Sequence, residues 1–166
     1  MLEQIKFAIQ KLDETDSKSL LVIGMRHDSL MDIPNHMKSK GGVCSVLEIW
    51  EPNVDNLRQR KIGDEVFLGD ARKINEVIDK KYDAVFWLHG PEHIHWNEFL
   101  ECREDIEAVA NKLVMYQAPI GEYPQGHLHN NPYEEHVSTL TPNMFEELGY
   151  HVQSNLERTF AAYLLK

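Results

Sequence analysis

The chain has 166 residues, enough to bury a sheet between helices within one domain spanning 1–166. Hydrophobic residues make up 42% and charged residues 27%, ordinary values for a globular protein, and no apolar run approaches the roughly 18 residues of a membrane span. A formal charge of −10, with Lys and Arg scattered along the chain, argues against polyphosphate partners and leaves a small molecule as the expected ligand class.

Residues 1–17 read as an amphipathic helix that carries acids and lacks the basic start of a secretion signal. Cys44 and Cys102 stand in apolar contexts without metal or redox spacing. They read as reduced core thiols, which points to a cytoplasmic compartment. The run SLLVIG over 19–24 is continuously apolar, as in a strand buried on both faces. A helix over 31–40 has its start limited by Pro34, and 43–50 (VCSVLEIW) is a second strand. Pro52 sits where the first turn of the next helix belongs, ahead of Val54 and Leu57. A short third strand covers 66–68, and 71–80 carries Ile74, Val77 and Ile78 at helical spacing. The segment 83–88 is a fourth strand, 96–110 the clearest helix, and 112–118 a fifth strand. The loop over 120–140 is too long for a passive connection and is expected to cover a site. A helix over 142–148 ends at Gly149, and two strands, 150–154 and 159–165, are joined too closely to be parallel. The pattern predicts an α/β fold: a doubly wound, mostly parallel seven-stranded sheet with a C-terminal antiparallel hairpin.

In such sheets ligands bind beyond the carboxyl ends of the strands. Strand one ends in Gly24-Met25-Arg26-His27-Asp28, where a glycine lets backbone amides approach a ligand closely or simply makes the turn into a helix. Strand two ends in Glu51-Pro52-Asn53. There an acid accepts from ribose hydroxyls or, alternatively, complements a helix dipole. Strand three ends in Gly69-Asp70-Ala71-Arg72, where Asp70 either accepts from an adenine amino group or caps the next helix.

These ends, in this order, resemble the cofactor half of class I S-adenosylmethionine-dependent methyltransferases. LEIWEPNVDNLRQR and VFLGDARKI are similar to that family's second and third motifs, YDAVFWLHGPEHI to its fourth, and NKLVMYQAPIGEY and TPNMFEELGYHV to its fifth strand and closing elements. The resemblance spans about residues 18 to 165. It implies an enzyme that moves a methyl group from S-adenosylmethionine, with Gly24, Arg26, Asp28, Glu51, Asp70, Ala71 and His89 as cofactor-binding positions. One departure stands out: the family's turn is glycine-x-glycine-x-glycine, whereas here Gly24 is the single glycine, so Arg26 or Asp28 takes the cofactor's carboxylate or amino group. The degenerate turn keeps open an alternative, a non-catalytic binding protein of the same fold.

Nine histidines is a high count, and most fall between 89 and 151. His89, Glu92 and His93 follow strand four, and His136 lies in the long loop. This set resembles small-RNA 2′-O-methyltransferases, in which Glu-x-x-Glu-His and a later His bind a divalent metal, with His89 here in place of the first glutamate. The resemblance implies a metal at His89, Glu92, His93 and His136, and three imidazoles with one carboxylate suit a transition metal better than magnesium. Without metal, His93, His136 and Glu92 are the candidates to position or deprotonate an acceptor.

Overall fold

The computed structural model describes residues 2–26 and 30–166. Helix α1 (Glu3–Glu14) precedes β1 (Ser19–Ile23), followed by α2 (Asp32–Ser39), β2 (Val43–Glu48), α3 (Glu51–Gln59) and β3 (Glu65–Leu68). A 3-10 segment (Ala71–Glu76) leads to β4 (Tyr82–Leu88), and a second 3-10 turn (Pro91–His93) leads to α4 (Trp96–Ala108) and β5 (Ala110–Pro119). A third 3-10 turn (Pro132–Glu134), α5 (Pro142–Glu146), β6 (His151–Leu156) and β7 (Thr159–Leu165) complete the chain.

All seven strands form one sheet in the order β3-β2-β1-β4-β5-β7-β6. The first five are parallel and β7 runs antiparallel to both β5 and β6, as the alternation of elements predicts. Side chains of β1 show why the strand is apolar throughout. Leu20 and Val22 face one layer, with Ile5, Leu12, Ile33 and Leu57, while Leu21 and Ile23 face the other, with Ile74, Phe99, Ile106 and Phe145. Period-two alternation thus loads both faces of every central strand with hydrocarbon. Both cysteines are free and buried, and burial pushes each thiol up to about 12. Among the described residues no helix is long and apolar enough to cross a membrane.

One element differs in kind. The segment 71–80, with its helical spacing, forms only the short 3-10 piece, broken at Lys73 (φ −128°, ψ 36°). Ile74 and Ile78 still reach the core. The cause is local: the Asp70 carboxylate accepts from the Arg72 N–H and from the Arg72 guanidinium, a tight turn that competes with α-helical pairing. Strand β2 ends at Glu48 rather than at 50, and β5 begins at Ala110 rather than at 112.

Phe145 joins the C-terminal elements to the sheet, its ring within 5.2–6.1 Å of those of Trp96, Phe99, Tyr116, Tyr150 and Phe160. It is fully buried. Phe145→Ala should therefore cost about 3–5 kcal/mol in urea unfolding; a loss under about 1 kcal/mol would show that the cluster collapses to fill the space.

Candidate functional site

Strands β1 and β4 are neighbours, and the chain leaves them toward opposite edges of the sheet. This reversal opens a crevice over their carboxyl ends. Two cavities occupy it, one of about 390 Å³ and one of about 210 Å³, and both are lined by Gly24, His89, His93 and Glu134. They form the two lobes of one cleft.

The smaller lobe is floored by the strand ends. Gly24 has φ +72°, a left-handed turn that suits glycine, and its N–H donates to the Leu47 carbonyl at 2.8 Å. Gly90 packs directly on the Trp87 indole, where a Cβ would come within 1.7 Å of Nε1; the HGPEH segment needs glycine there. Asp70 and Ala71 both line the lobe. Burial alone raises the Asp70 carboxyl, but its bonds to Arg72 hold it below the ordinary carboxylate value. Asp70 is a cap, as one of its two readings has it.

Glu51 sits exposed in the first turn of α3 and does not line the lobe. At this end of β2 the acid that does is Glu48, the last residue of the strand, 4% exposed, with Oε1 accepting from the Trp50 N–H at 2.9 Å. Burial pushes the Glu48 carboxyl up to about 7, against the bonds from Trp50 and Asn53. Its signal in the sequence was an acid closing an apolar run level with Gly24. Arg26 lines the larger lobe, with Nη1 3.6 Å from Glu134 Oε2. Asp28 lies outside the described residues.

The larger lobe ends at Glu92, His93 and His136, whose ligating atoms all lie within 4.8 Å of one another. Glu92 and His93 come from the 3-10 turn after β4, and His136 comes from the long loop, anchored where Gly121 and Leu140 pair. The loop docks through backbone bonds, with Val137 and Ser138 N–H both donating to the Glu92 carbonyl (2.9 and 3.1 Å). His93 Nδ1 lies 3.1 Å from the Glu135 carbonyl and His136 Nδ1 lies 2.7 Å from the Tyr123 carbonyl. A carbonyl only accepts, so each Nδ1 carries the proton and each Nε2 keeps its lone pair.

Glu92 is 2% exposed and neither carboxylate oxygen has a hydrogen-bond partner. Two imidazole nitrogens face Oε1, His89 Nδ1 at 3.6 Å and His136 Nε2 at 4.0 Å, both beyond hydrogen-bond length. A bare buried carboxylate costs several kcal/mol, and two imidazole lone pairs beside it complete the donor set of a divalent transition metal. Burial lowers His136 below the ordinary imidazole value, which keeps that ring neutral and able to ligate. His89, the fourth expected ligand, is not brought into this cluster: its Nδ1 lies 3.6 Å from Glu92 Oε1 and its Nε2 lies 2.9 Å from Gln4 Nε2.

Three further histidines lie outside this cluster. His95 precedes α4, where its N–H donates to Glu98, and His127 pairs with Glu135 at 3.3 Å in the open. His151 lies exposed on β6. Trp96 stacks on Phe99 in the core, whereas Tyr133 is exposed and borders the smaller lobe.

No family sequence model and no curated protein matches the chain by sequence. Solved structures do match by fold. An S-adenosylmethionine-dependent methyltransferase from Clostridium acetobutylicum has a TM-score of 0.71 at 9% identity, covering 99% of this chain and 90% of its own. The plantazolicin methyltransferase BpumL, in complex with S-adenosylhomocysteine, has a TM-score of 0.71 at 12% identity, with 99% and 81% covered. Magnesium protoporphyrin IX methyltransferase from Synechocystis, with bound S-adenosylmethionine, has a TM-score of 0.66 at 12% identity, with 99% and 78% covered.

Glu48 has a consequence for stability. Its carboxyl titrates at about 7 when folded against 4.5 as the ordinary value. Between these the folded protein holds a proton the unfolded chain has lost, so stability falls as pH rises through that window and stays low above it. Glu48→Gln should raise the stability of the ligand-free protein by on the order of 3 kcal/mol at pH 8 and by little below pH 4.5, read from urea midpoints. An equal gain at both pH values would mean that charge burial is not its source. On this evidence of architecture, the chain has the class I S-adenosylmethionine-dependent methyltransferase fold.

Proposed function

We propose that the chain transfers a methyl group from S-adenosylmethionine to a hydroxyl of a small-molecule or sugar-like acceptor, with a divalent transition metal held at Glu92, His93 and His136. The observation that carries this reading is the junction of the two lobes at Gly24, His89 and His93. A cofactor over the strand ends would there meet an acceptor lying against the triad. The bound S-adenosylmethionine or S-adenosylhomocysteine named for the similar structures supports it.

S-adenosylmethionine supplies an electrophilic methyl on sulfur, and transfer then needs mainly proximity and alignment. For the cofactor, Glu48 is assigned the ribose hydroxyls in place of Glu51, since it is the strand-end acid in the cleft. Gly24 admits the close backbone approach, Ala71 leaves space beside the turn that Asp70 and Arg72 hold, and Arg26 offers a cation to the methionine carboxylate. A divalent metal would lower the pKa of a hydroxyl it binds and fix its orientation. In its absence the Nε2 lone pairs of His93 and His136, aimed by loop carbonyls, remain available to accept that proton.

The single-glycine turn favours a second reading, a ligand-binding protein without catalysis, and ligand titration separates the two. S-adenosylhomocysteine at 100 times its Kd should stabilise the protein by about 2.7 kcal/mol. Glu48→Ala should abolish the resulting rise in Tm, and Glu51→Ala should preserve it. No shift at millimolar ligand would leave the fold standing without the cofactor. For the metal, elemental analysis of protein purified without an affinity tag should find near-stoichiometric transition metal. His93→Ala should release it and His151→Ala should not; protein that is metal-free and refuses added Zn, Mn and Fe would end the metal reading.

A further inference from the structure

We infer that the acceptor carries an anionic group, a carboxylate or a phosphate, and that Arg158, on the hairpin turn between β6 and β7, holds it in the larger lobe. The inference rests on the methyl-transfer reading given above and narrows its acceptor to a hydroxylated anion.

The turn is built against its own backbone preference. Strand β6 ends at Leu156, β7 begins at Thr159, and these two residues pair, so Glu157 and Arg158 are the whole connection. Both have positive φ, +54° and +71°, as in the type I′ turns that asparagine and glycine make with little strain. A residue with a Cβ costs more there, and the hairpin itself does not call for a glutamate followed by an arginine. Both side chains line the larger lobe. Strain of this kind collects where a side chain is needed in one place. Here the backbone is held to it, because the Arg158 carbonyl accepts from the Ile120 N–H at 2.9 Å and the Thr159 hydroxyl donates to the Leu156 carbonyl.

The charges of the lobe leave Arg158 over. Arg26 faces Glu134 at 3.6 Å, and Glu92 lies in the cluster with His93 and His136. Glu157 acts on the Lys6 ammonium, which is held foremost by Glu3. Among the described residues the Arg158 guanidinium has neither an ion pair nor a hydrogen bond. Its five N–H donors form a fork that matches a carboxylate or phosphate edge.

Position sets the shape of the ligand. Arg158 precedes β7 and Glu92 follows β4, with β5 between them in the sheet. Leu88 pairs with Gln117 and Thr159 with Pro119, so the three strand ends are level to within two residues. Two strand spacings put the backbones about 10 Å apart. Leu30, Leu88 and Pro119 add apolar wall to the same cavity of about 390 Å³, a volume at the small end of ligand pockets. A molecule reaching from the cluster to Arg158 has a hydroxyl at one end, a body about one ring long, and a negative group at the other.

The test titrates the full untagged chain, with and without S-adenosylhomocysteine, against 4-hydroxybenzoate, 4-hydroxyphenyl phosphate and the neutral 4-hydroxybenzamide. At least one anion should bind about 10- to 100-fold more tightly than the amide, the range of a charge-assisted hydrogen bond; whether it is the carboxylate or the phosphate identifies the group. Arg158→Gln should abolish that preference and leave the affinity for the amide within a few-fold. Arg158→Gly should also abolish it while raising the urea midpoint, since glycine relieves the turn, which separates lost recognition from lost folding. Equal binding of anion and amide, an anion preference that survives Arg158→Gln, or no binding of either anion at millimolar concentration would overturn the inference. Protein that binds S-adenosylhomocysteine without preferring an anion loses this inference and keeps the cofactor. Protein that prefers the anion yet ignores S-adenosylhomocysteine keeps the Arg158 site and loses the methyl-transfer reading.

Discussion

A carboxylate taken out of water needs hydrogen bonds or a counter-charge, and Glu92 has neither of the usual kinds. Its oxygens are buried and unpartnered, while the backbone carbonyl of the same residue takes two N–H bonds from the long loop. The residue therefore anchors the loop with its main chain and leaves its side chain free. Around it, His93 and His136 spend their Nδ1 protons on loop carbonyls, which aims the remaining lone pairs inward. Much of the larger lobe follows from this: the loop is fixed where it is by the bonds that set the two tautomers.

The charge of the whole chain says little about the charge of the cleft. Of the carboxylates near it, Asp70 is neutralised by Arg72 and Glu134 faces Arg26 at 3.6 Å. Burial pushes the Glu48 carboxyl up to about 7, so its charge is only partly present near neutral pH. The cleft itself presents imidazoles and three arginines, Arg26, Arg72 and Arg158, beside the carboxylates of Glu92, Glu135 and Glu157. Long-range repulsion of polyanions and local acceptance of a compact polar ligand are compatible in one molecule, because screening limits the former to about 8–10 Å in physiological salt.

The fold was legible because the central strands are uniformly apolar and the helices between them carry period-3.6 stripes, two signals that packing enforces. The legible parts of the site were those fixed by local chain order: Gly24, Ala71, and the His89-Gly90-Pro91-Glu92-His93 run just past β4. Two kinds of residue were hidden. Glu48 and Glu51 are three positions apart, and knowing which of them closes β2 needs the last ladder position of the strand, which propensity does not give to within a residue or two. Gln4 carries no motif at all. Its contacts to His89, Gln117 and Thr159 appear only when α1 is laid across the strand ends, at high sequence separation. The helix expected over 71–80 failed for a local reason, since the Asp70–Arg72 turn outcompeted a stripe of three aliphatic residues.

The loop and the triad cannot be treated as separate parts. His136 belongs to the loop, its own N–H donates to the Gln125 carbonyl, and Gln125 Nε2 returns to the Glu134 carbonyl. Glu134 faces Arg26 from the turn after β1, and residues 131–135 with Val137 border the smaller lobe. The same segment thus supplies one imidazole to the cluster at Glu92, the tautomer-setting carbonyls for two, and a wall of the neighbouring lobe. Any displacement of the loop removes all three at once. The two lobes therefore share one wall and the same histidines, His89 and His93.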